Sequence, residues 1–236
     1  MKPFHFKQFK IYHEHSFKVG TDGVLLGTWV DVKDKTKVLD IGTGSGLIPL
    51  IIAQRSLNTE ITGVEIDELS FLEATENVKK SPWNNRITIL HTTIQVFAEK
   101  SVNEFDLIVS NPPYFINSMK SGNKKKNTAR HTDSLSFEDL LKSAKKSLSS
   151  TGTLTLVLPK TEGDIFIETA KIYGFHLVRL TEVQSKKDKP IERLLMAFSF
   201  QKKELKKDNL IIQFETRNGY TAEYRQLTEE FYTIFS

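Results

Sequence analysis

Short apolar or β-branched runs alternate with helical patterns along most of this chain, and that alternation constrains its fold more than any other feature. Strand candidates are Lys37–Ile41, Glu60–Ile66, Arg86–His91, Phe105–Ser110, Gly152–Leu158, Phe175–Val183 and Arg193–Phe200. Helical patterns lie between them at Gly46–Ser56, Leu69–Lys80, Ser136–Leu148 and Gly163–Tyr173, with a weaker one near Thr93–Glu99. Parallel neighbours need crossover connections, so the pattern predicts an α/β fold: a seven-stranded, mostly parallel sheet with helices on both faces. The last two strands are joined by Gln184–Glu192, which has no helical pattern, and this predicts a C-terminal antiparallel hairpin. Ligands of such sheets bind beyond the carboxyl ends of the strands.

Residues 1–35 read as an N-terminal extension: a small β element carrying Phe4, Phe6, Phe9, Ile11 and Tyr12, then a short helix beginning near Thr21. Residues 36–200 form the main domain. Residues 201–236 form a C-terminal extension packed on it, with a charged connector Lys202–Asp208, one more strand at Asn209–Thr216 and a helix or irregular tail at Thr221–Phe235.

Composition narrows the chemistry. The 236 residues contain no Cys, which excludes disulfides, thiolate metal sites and thiol catalysis and fits a reducing, cytoplasmic setting. No segment approaches the roughly 18 apolar residues of a membrane span, and the N-terminus lacks a signal-peptide core. The six His form no convincing metal cluster, and nothing points to an obligate protein partner. The net charge of +4 is too small by itself to require a polyanion, but its distribution is uneven. Lys120, Lys124, Lys125, Lys126, Arg130 and His131 gather in one segment that reads either as a phosphate-attracting loop or as a solvated one.

The first strand candidate runs into Asp40-Ile41-Gly42-Thr43-Gly44-Ser45-Gly46 and then a helix. Glycines at 42, 44 and 46 let backbone pass close to a ligand in front of a helix N-terminus, which implies a nucleotide-like cofactor. Leu47 stands where the dinucleotide fingerprint requires its third glycine, which counts against NAD. Glu65 ends the next strand, 19 residues beyond Gly46, where its two oxygens can accept ribose hydroxyls. Asp40, inside its strand, needs donors or a cofactor to offset its burial. Lys18 and Thr21 offer polar contacts from the extension, or ordinary turn and cap chemistry. Thr93 reads equally as a neighbour of the cofactor base and as a helix cap.

After the fourth strand comes Asn111-Pro112-Pro113-Tyr114. Two prolines remove two backbone donors and fix φ, giving a stiff exit from the sheet that can hold one amide and one aromatic ring against a planar ligand.

With the glycine turn, Glu65 and Asn-Pro-Pro-Tyr in this order, the chain resembles the class I S-adenosylmethionine-dependent methyltransferases, of Rossmann-like fold, that modify amino nitrogens. The resemblance covers roughly Lys37 to Phe200. Phe17–Gly27 and Ala129-Arg130-His131 further resemble the bacterial enzymes that methylate N6 of an adenine beside the anticodon of valine tRNA. That family implies S-adenosyl-L-methionine as cofactor and tRNA as partner. It implies that Asn111 and the Pro112 carbonyl accept the amine hydrogens, that Asn111 borders the cofactor, that Tyr114 stacks on the base, and that Lys124–Lys126, Arg130 and His131 hold phosphates.

Three methyl-transfer or RNA alternatives share parts of this pattern: a guanine-N2 ribosomal RNA methyltransferase, a protein glutamine-N5 methyltransferase, and a noncatalytic RNA-binding protein of the same fold. Glutamine-N5 enzymes carry a helical domain before the core, for which about 35 residues are too few.

Overall fold

The computed structural model describes residues 2–16, 18–113, 135–214, 216 and 219–235. Helices and strands alternate as the periodicity predicts. The chain opens with a hairpin, β1 (Phe4–His5) and β2 (Lys10–Ile11), followed by α1 (Thr21–Trp29). The main alternation is β3 (Lys37–Ile41), α2 (Leu47–Arg55), β4 (Glu60–Glu65), α3 (Glu68–Lys79), β5 (Ile87–His91), α4 (Ile94–Ala98) and β6 (Phe105–Ser110). It continues with α5 (Phe137–Ser147), β7 (Leu148–Pro159), α6 (Lys160–Ile172), β8 (His176–Lys186) and β9 (Arg193–Ser199). The chain closes with β10 (Lys206–Gln213), α7 (Ala222–Thr228) and a 3-10 turn at Thr233–Phe235.

The sheet order is β10-β8-β9-β7-β6-β3-β4-β5, with β9 antiparallel to both its neighbours and every other pair parallel. The sheet thus has eight strands where seven were expected. Its additional member, β10, overlaps the further strand expected at Asn209–Thr216 but begins at Lys206, inside the stretch that reads as a charged connector. Lysines along one strand are a common device of sheet edges, where they discourage pairing with another chain, and they mask the strand's periodicity. Among the described residues of the C-terminal segment, α7 is the one α-helix, and the 3-10 turn follows it. Thr221 caps α7 through the Tyr224 N–H, and the chain then turns.

Side-chain alternation divides the core in two. Val38, Leu107, Val109 and Val157 point into one layer with α1, α2 and Val78 of α3, while Leu39, Ile41, Ile108, Leu154, Leu156 and Leu158 point into the other with α5 and α6. Helix α2 is apolar almost throughout, Leu47 to Ala53, because α1 covers the side that the sheet leaves open. The N-terminal hairpin joins this first layer, where Phe6 stacks between Phe9 and Tyr232, and the Lys7 N–H meets the Phe231 carbonyl at 2.8 Å.

Strands β3 and β6 are neighbours although far apart in sequence. Connections leave this point in opposite directions, so a crevice opens above the carboxyl ends of β3, β4 and β6.

Candidate active site

A cleft of about 590 Å³ fills that crevice. Its floor is the turn after β3. Gly42, Gly44 and Gly46 have φ of 72°, 55° and 78°, left-handed values that L side chains rarely adopt. The turn is tied to β4 by the Gly42 and Thr43 N–H groups, which donate to the Val64 carbonyl at 2.9 and 3.1 Å. A Cβ on Gly42 or Gly44 would meet nothing within 4 Å, so both face open space in the cleft. Gly46 differs: it begins α2, and a Cβ there would meet Ala74 of α3 at 3.5 Å, which makes it a packing and turn residue away from the cleft lining.

Glu65 ends β4 almost fully buried. Its Oε2 accepts the Gly44 N–H at 2.8 Å, and its Oε1 accepts those of Ile66 and Asp67 at 2.9 and 3.0 Å. Three of about four lone-pair positions are therefore filled by backbone, leaving the free one on Oε2, the oxygen beside the glycine turn. Asp67 caps α3 by accepting the Ser70 N–H at 2.8 Å, and this bond holds its carboxyl below the usual range.

Asp40 is fully buried, and neither of its oxygens has a hydrogen-bond partner among the described residues. Burial pushes its carboxyl up to about 7, and the neighbouring Glu65 charge adds to that. The Thr43 hydroxyl opposes the shift without reaching hydrogen-bond geometry. Such a group lacks a donor or a cation.

The opposite wall is the exit from β6. Ser110 anchors it through a hydroxyl bond to the Ile41 carbonyl at 2.9 Å, and Asn111, Pro112 and Pro113 line the cleft. The Asn111 Oδ1 is buried without a partner among the described residues. Gly23 of α1 lies beside it: a Cβ there would press on Leu47 Cδ2 at 3.1 Å and touch Asn111 Nδ2 at an ordinary 3.9 Å. The loop thus holds an amide against the cleft with its acceptor unspent.

Thr93 caps α4, accepting the Val96 N–H at 3.2 Å, and lines the cleft. Lys18 and Thr21 are exposed and stand outside the lining. Tyr114, Lys120, Lys124, Lys125, Lys126, Arg130 and His131 lie outside the described residues.

The structure adds a wall that sequence reading overlooked. His15 and Ser16 border the cleft, held there by Glu73 of α3. One Glu73 oxygen accepts the N–H groups of Glu14 and His15 at 2.6 and 2.9 Å, and the other takes the Ser16 N–H and hydroxyl. One turn on, Asn77 bonds the Tyr12 N–H and carbonyl at 2.9 and 2.8 Å and the Ser45 carbonyl at 2.9 Å, tying the same segment to the glycine turn. A carboxylate and an amide four residues apart on a helix face shared with Ala74 and Val78 were the available signal. Ile66, Leu135 and Asp139 complete the mouth.

Residues 8–167 match the Methyltransferase small domain. The chain belongs to this methyltransferase family. Family members named tRNA1(Val) (adenine(37)-N6)-methyltransferase align with nearly all of it. The one from Bacteroides fragilis is 42% identical over 97% of both chains. That from Pseudoalteromonas translucida is 42% identical over 98% of this chain and 99% of its own. That from Trichodesmium erythraeum is 44% identical over 97% of both. Among solved structures, a predicted O-methyltransferase from Agrobacterium tumefaciens superposes with a TM-score of 0.72 at 19% identity, covering 89% of this chain and 96% of its own. A glycopeptide N-methyltransferase complexed with S-adenosyl-L-methionine gives 0.56 at 14% identity, covering 80% of this chain and 99% of its own. The methyltransferase fold is therefore shared well beyond the range of sequence similarity.

Among the described residues there is no group of three or more His, Asp or Glu arranged to hold a metal ion, and no helix is long and apolar enough to cross a membrane.

Proposed function

We propose that this protein methylates N6 of an adenine in the anticodon loop of valine tRNA, using S-adenosyl-L-methionine. The observation that carries the reaction is the buried, unpartnered Asn111 Oδ1 at the cleft wall. The relatives' shared name supplies the substrate.

The cleft fits the cofactor. Gly42 and Gly44 leave space that side chains would fill, Glu65 keeps one acceptor position beside them, and the Asp40 carboxyl awaits a cationic or donor group. Bound there, S-adenosyl-L-methionine supplies a methyl group activated by its sulfonium.

We assign the remaining work to the Asn-Pro-Pro-Tyr loop. An exocyclic aromatic amine is a weak nucleophile because its lone pair is delocalised into the ring. Asn111 Oδ1 and the Pro112 carbonyl accept the two amine hydrogens, localising the lone pair on nitrogen and orienting it. As the new N–C bond forms, the methyl–sulfur bond of the sulfonium would break to leave the neutral thioether S-adenosyl-L-homocysteine, and the amine proton is lost to water. This is catalysis by positioning and fixed dipoles. Pro112 has no N–H and serves only as an acceptor. Tyr114 is assigned to stacking on the adenine, a contact of about 1–3 kcal/mol per base. Lys124–Lys126, Arg130 and His131 are assigned to phosphates near the base, which must leave its stack to enter the cleft. Lys18 and Thr21 are assigned to the cofactor side of the mouth. Residues 1–35 and 201–236 are read as extensions of one catalytic domain, 36–200. The substrate assigns the reaction to the cytoplasm.

The test is incubation of the purified protein with labelled S-adenosyl-L-methionine and tRNA from a strain lacking this activity, followed by nucleoside analysis. Label in N6-methyladenosine is expected. Label only in N2-methylguanosine, or only in protein, would overturn the reading.

A further inference from the structure

Strand register places a second basic feature beside the acceptor loop. Ser110, the last residue of β6, is level with Leu156 on β7, and three residues further along β7 Pro159 pairs with Arg193, itself paired with Val183. Beyond that level β6 has ended, but β8 and β9 continue into the hairpin turn at residues 184–192. At about 3.3 Å per residue, a tip three residues farther on rises about 10 Å beyond the end of β7. It stands two to three strands away from β6, or about 10–14 Å at 4.8 Å per strand. The hairpin and the Asn111–Pro113 exit therefore leave the same edge of the sheet, two to three strands apart.

The tip carries Lys186, Lys187 and Lys189 in four residues, against the single acid Asp188. Lys187 and Lys189 are exposed. Their backbone is tied down: the Gln184 side-chain amide donates to the carbonyls of Lys187 and Lys189 at 3.3 and 2.5 Å, the Lys189 N–H bonds the Lys186 carbonyl at 3.1 Å, and Ser185 bonds Glu192 at 2.6 Å. Nearby cations are committed elsewhere: Arg193 to Asp22 at 2.8 Å and Lys160 to Asp164 at 2.5 Å. A fixed tip that carries exposed lysines over the acceptor side of the sheet suits phosphates at a set distance from the reacting base.

We propose that the β8–β9 hairpin is a phosphate-binding wall for the RNA strand that leads to the flipped base, with Lys187 and Lys189 as its contacts. This rests on the tRNA reading above. Its occupant is RNA backbone rather than base edges, because lysine ammonium groups act on phosphate as point charges and carry no base code.

The experiment compares wild type, K187A/K189A and K187R/K189R in steady-state methylation of valine tRNA over a range of salt concentrations, with cofactor affinity measured alongside. The alanine pair should raise KM for tRNA roughly tenfold at moderate salt and reduce the slope of log KM against log salt by about 1.4, about 0.7 per lost single-strand phosphate contact. Its kcat and cofactor Kd should stay at wild-type values, and the arginine pair should restore KM. Wild-type transfer to tRNA with KM and slope unchanged in the alanine pair overturns the hairpin's role and leaves the substrate reading standing. Absence of wild-type transfer to any tRNA overturns both.

Discussion

The Glu65 carboxylate accepts the Gly44 N–H at 2.8 Å, which makes the acid at the end of β4 and the glycine turn after β3 one rigid unit. The turn is held from below by Val64, and Glu65 holds its crown. Cofactor affinity should therefore depend on Glu65 twice, through a direct acceptor and through the shape of the turn. Glu65→Gln retains the volume but replaces one oxygen with a donor, facing backbone N–H groups that need acceptors. Loss of a charge-assisted bond costs about 1.5–3 kcal/mol, so calorimetry should show the Kd for S-adenosyl-L-methionine rising roughly 10- to 150-fold. An unchanged Kd would remove Glu65 from the cofactor site.

Glycine is required at 44 for two separable reasons. Its φ of 55° is strained for alanine, at a cost of about 1–2 kcal/mol in stability. A Cβ would meet no protein atom, so any additional loss must come from the ligand. Gly44→Ala is expected to lower Tm modestly and to weaken cofactor binding by more than the stability change explains, as seen by comparing thermal shifts with and without cofactor. Equal shifts would mean that the glycine serves the turn alone.

Asp40 sets a pH dependence. Burial and the Glu65 charge push its folded-state carboxyl up to about 7, well above the ordinary aspartate value, so the native state binds the proton more tightly than the unfolded state does. Its contribution to stability is full below about pH 4, declines as pH rises toward 7 and is flat above, a loss of the order of 4 kcal/mol. Denaturant titrations of the cofactor-free protein should show this decline, and Asp40→Asn should abolish it while weakening cofactor binding at pH 8. A variant with the wild-type pH profile would assign the decline to other groups.

Much of this architecture is legible in the sequence, because each β-branched run and each Gly turn acts locally. The strand ends at Ile41 and Ser110 and the cap at Asp67 follow from nearest neighbours. What escapes is long-range or edge-determined. The start of strand β10 hides because an exposed edge favours Lys206 and Lys207 over an apolar alternation, while the rest of the strand falls within the expected Asn209–Thr216. The third glycine, Gly46, reads as a ligand contact from spacing, whereas only the packing of α3 shows that Ala74 faces it. The Tyr12–Ser16 wall has no local signature, since what fixes it sits about 60 residues away on α3.

That wall yields a prediction of its own. Glu73 is buried with three backbone donors and a hydroxyl on it, so Glu73→Ala removes their shared acceptor, at about 0.5–1.5 kcal/mol per hydrogen bond, since water can reach the exposed Glu14 and His15. The segment should detach: hydrogen exchange at Glu14, His15 and Ser16 should accelerate to near-unprotected rates while β3 and β6 stay protected, and KM for cofactor should rise with kcat little changed. Retained protection at residues 14–16 would show that Asn77 and the aromatic hairpin hold the segment without Glu73.

The role of Asn111 is tested most directly by single-turnover methyl transfer to valine tRNA with Asn111→Ala, with cofactor affinity measured by calorimetry on the same preparation. Removing a hydrogen-bond acceptor that acts in the transition state should cost about 10²–10³-fold in rate, with cofactor Kd within a few-fold of wild type. A variant that transfers at the wild-type rate, or one whose lost activity is matched by lost cofactor affinity, would contradict the assignment of Asn111 to the reacting amine.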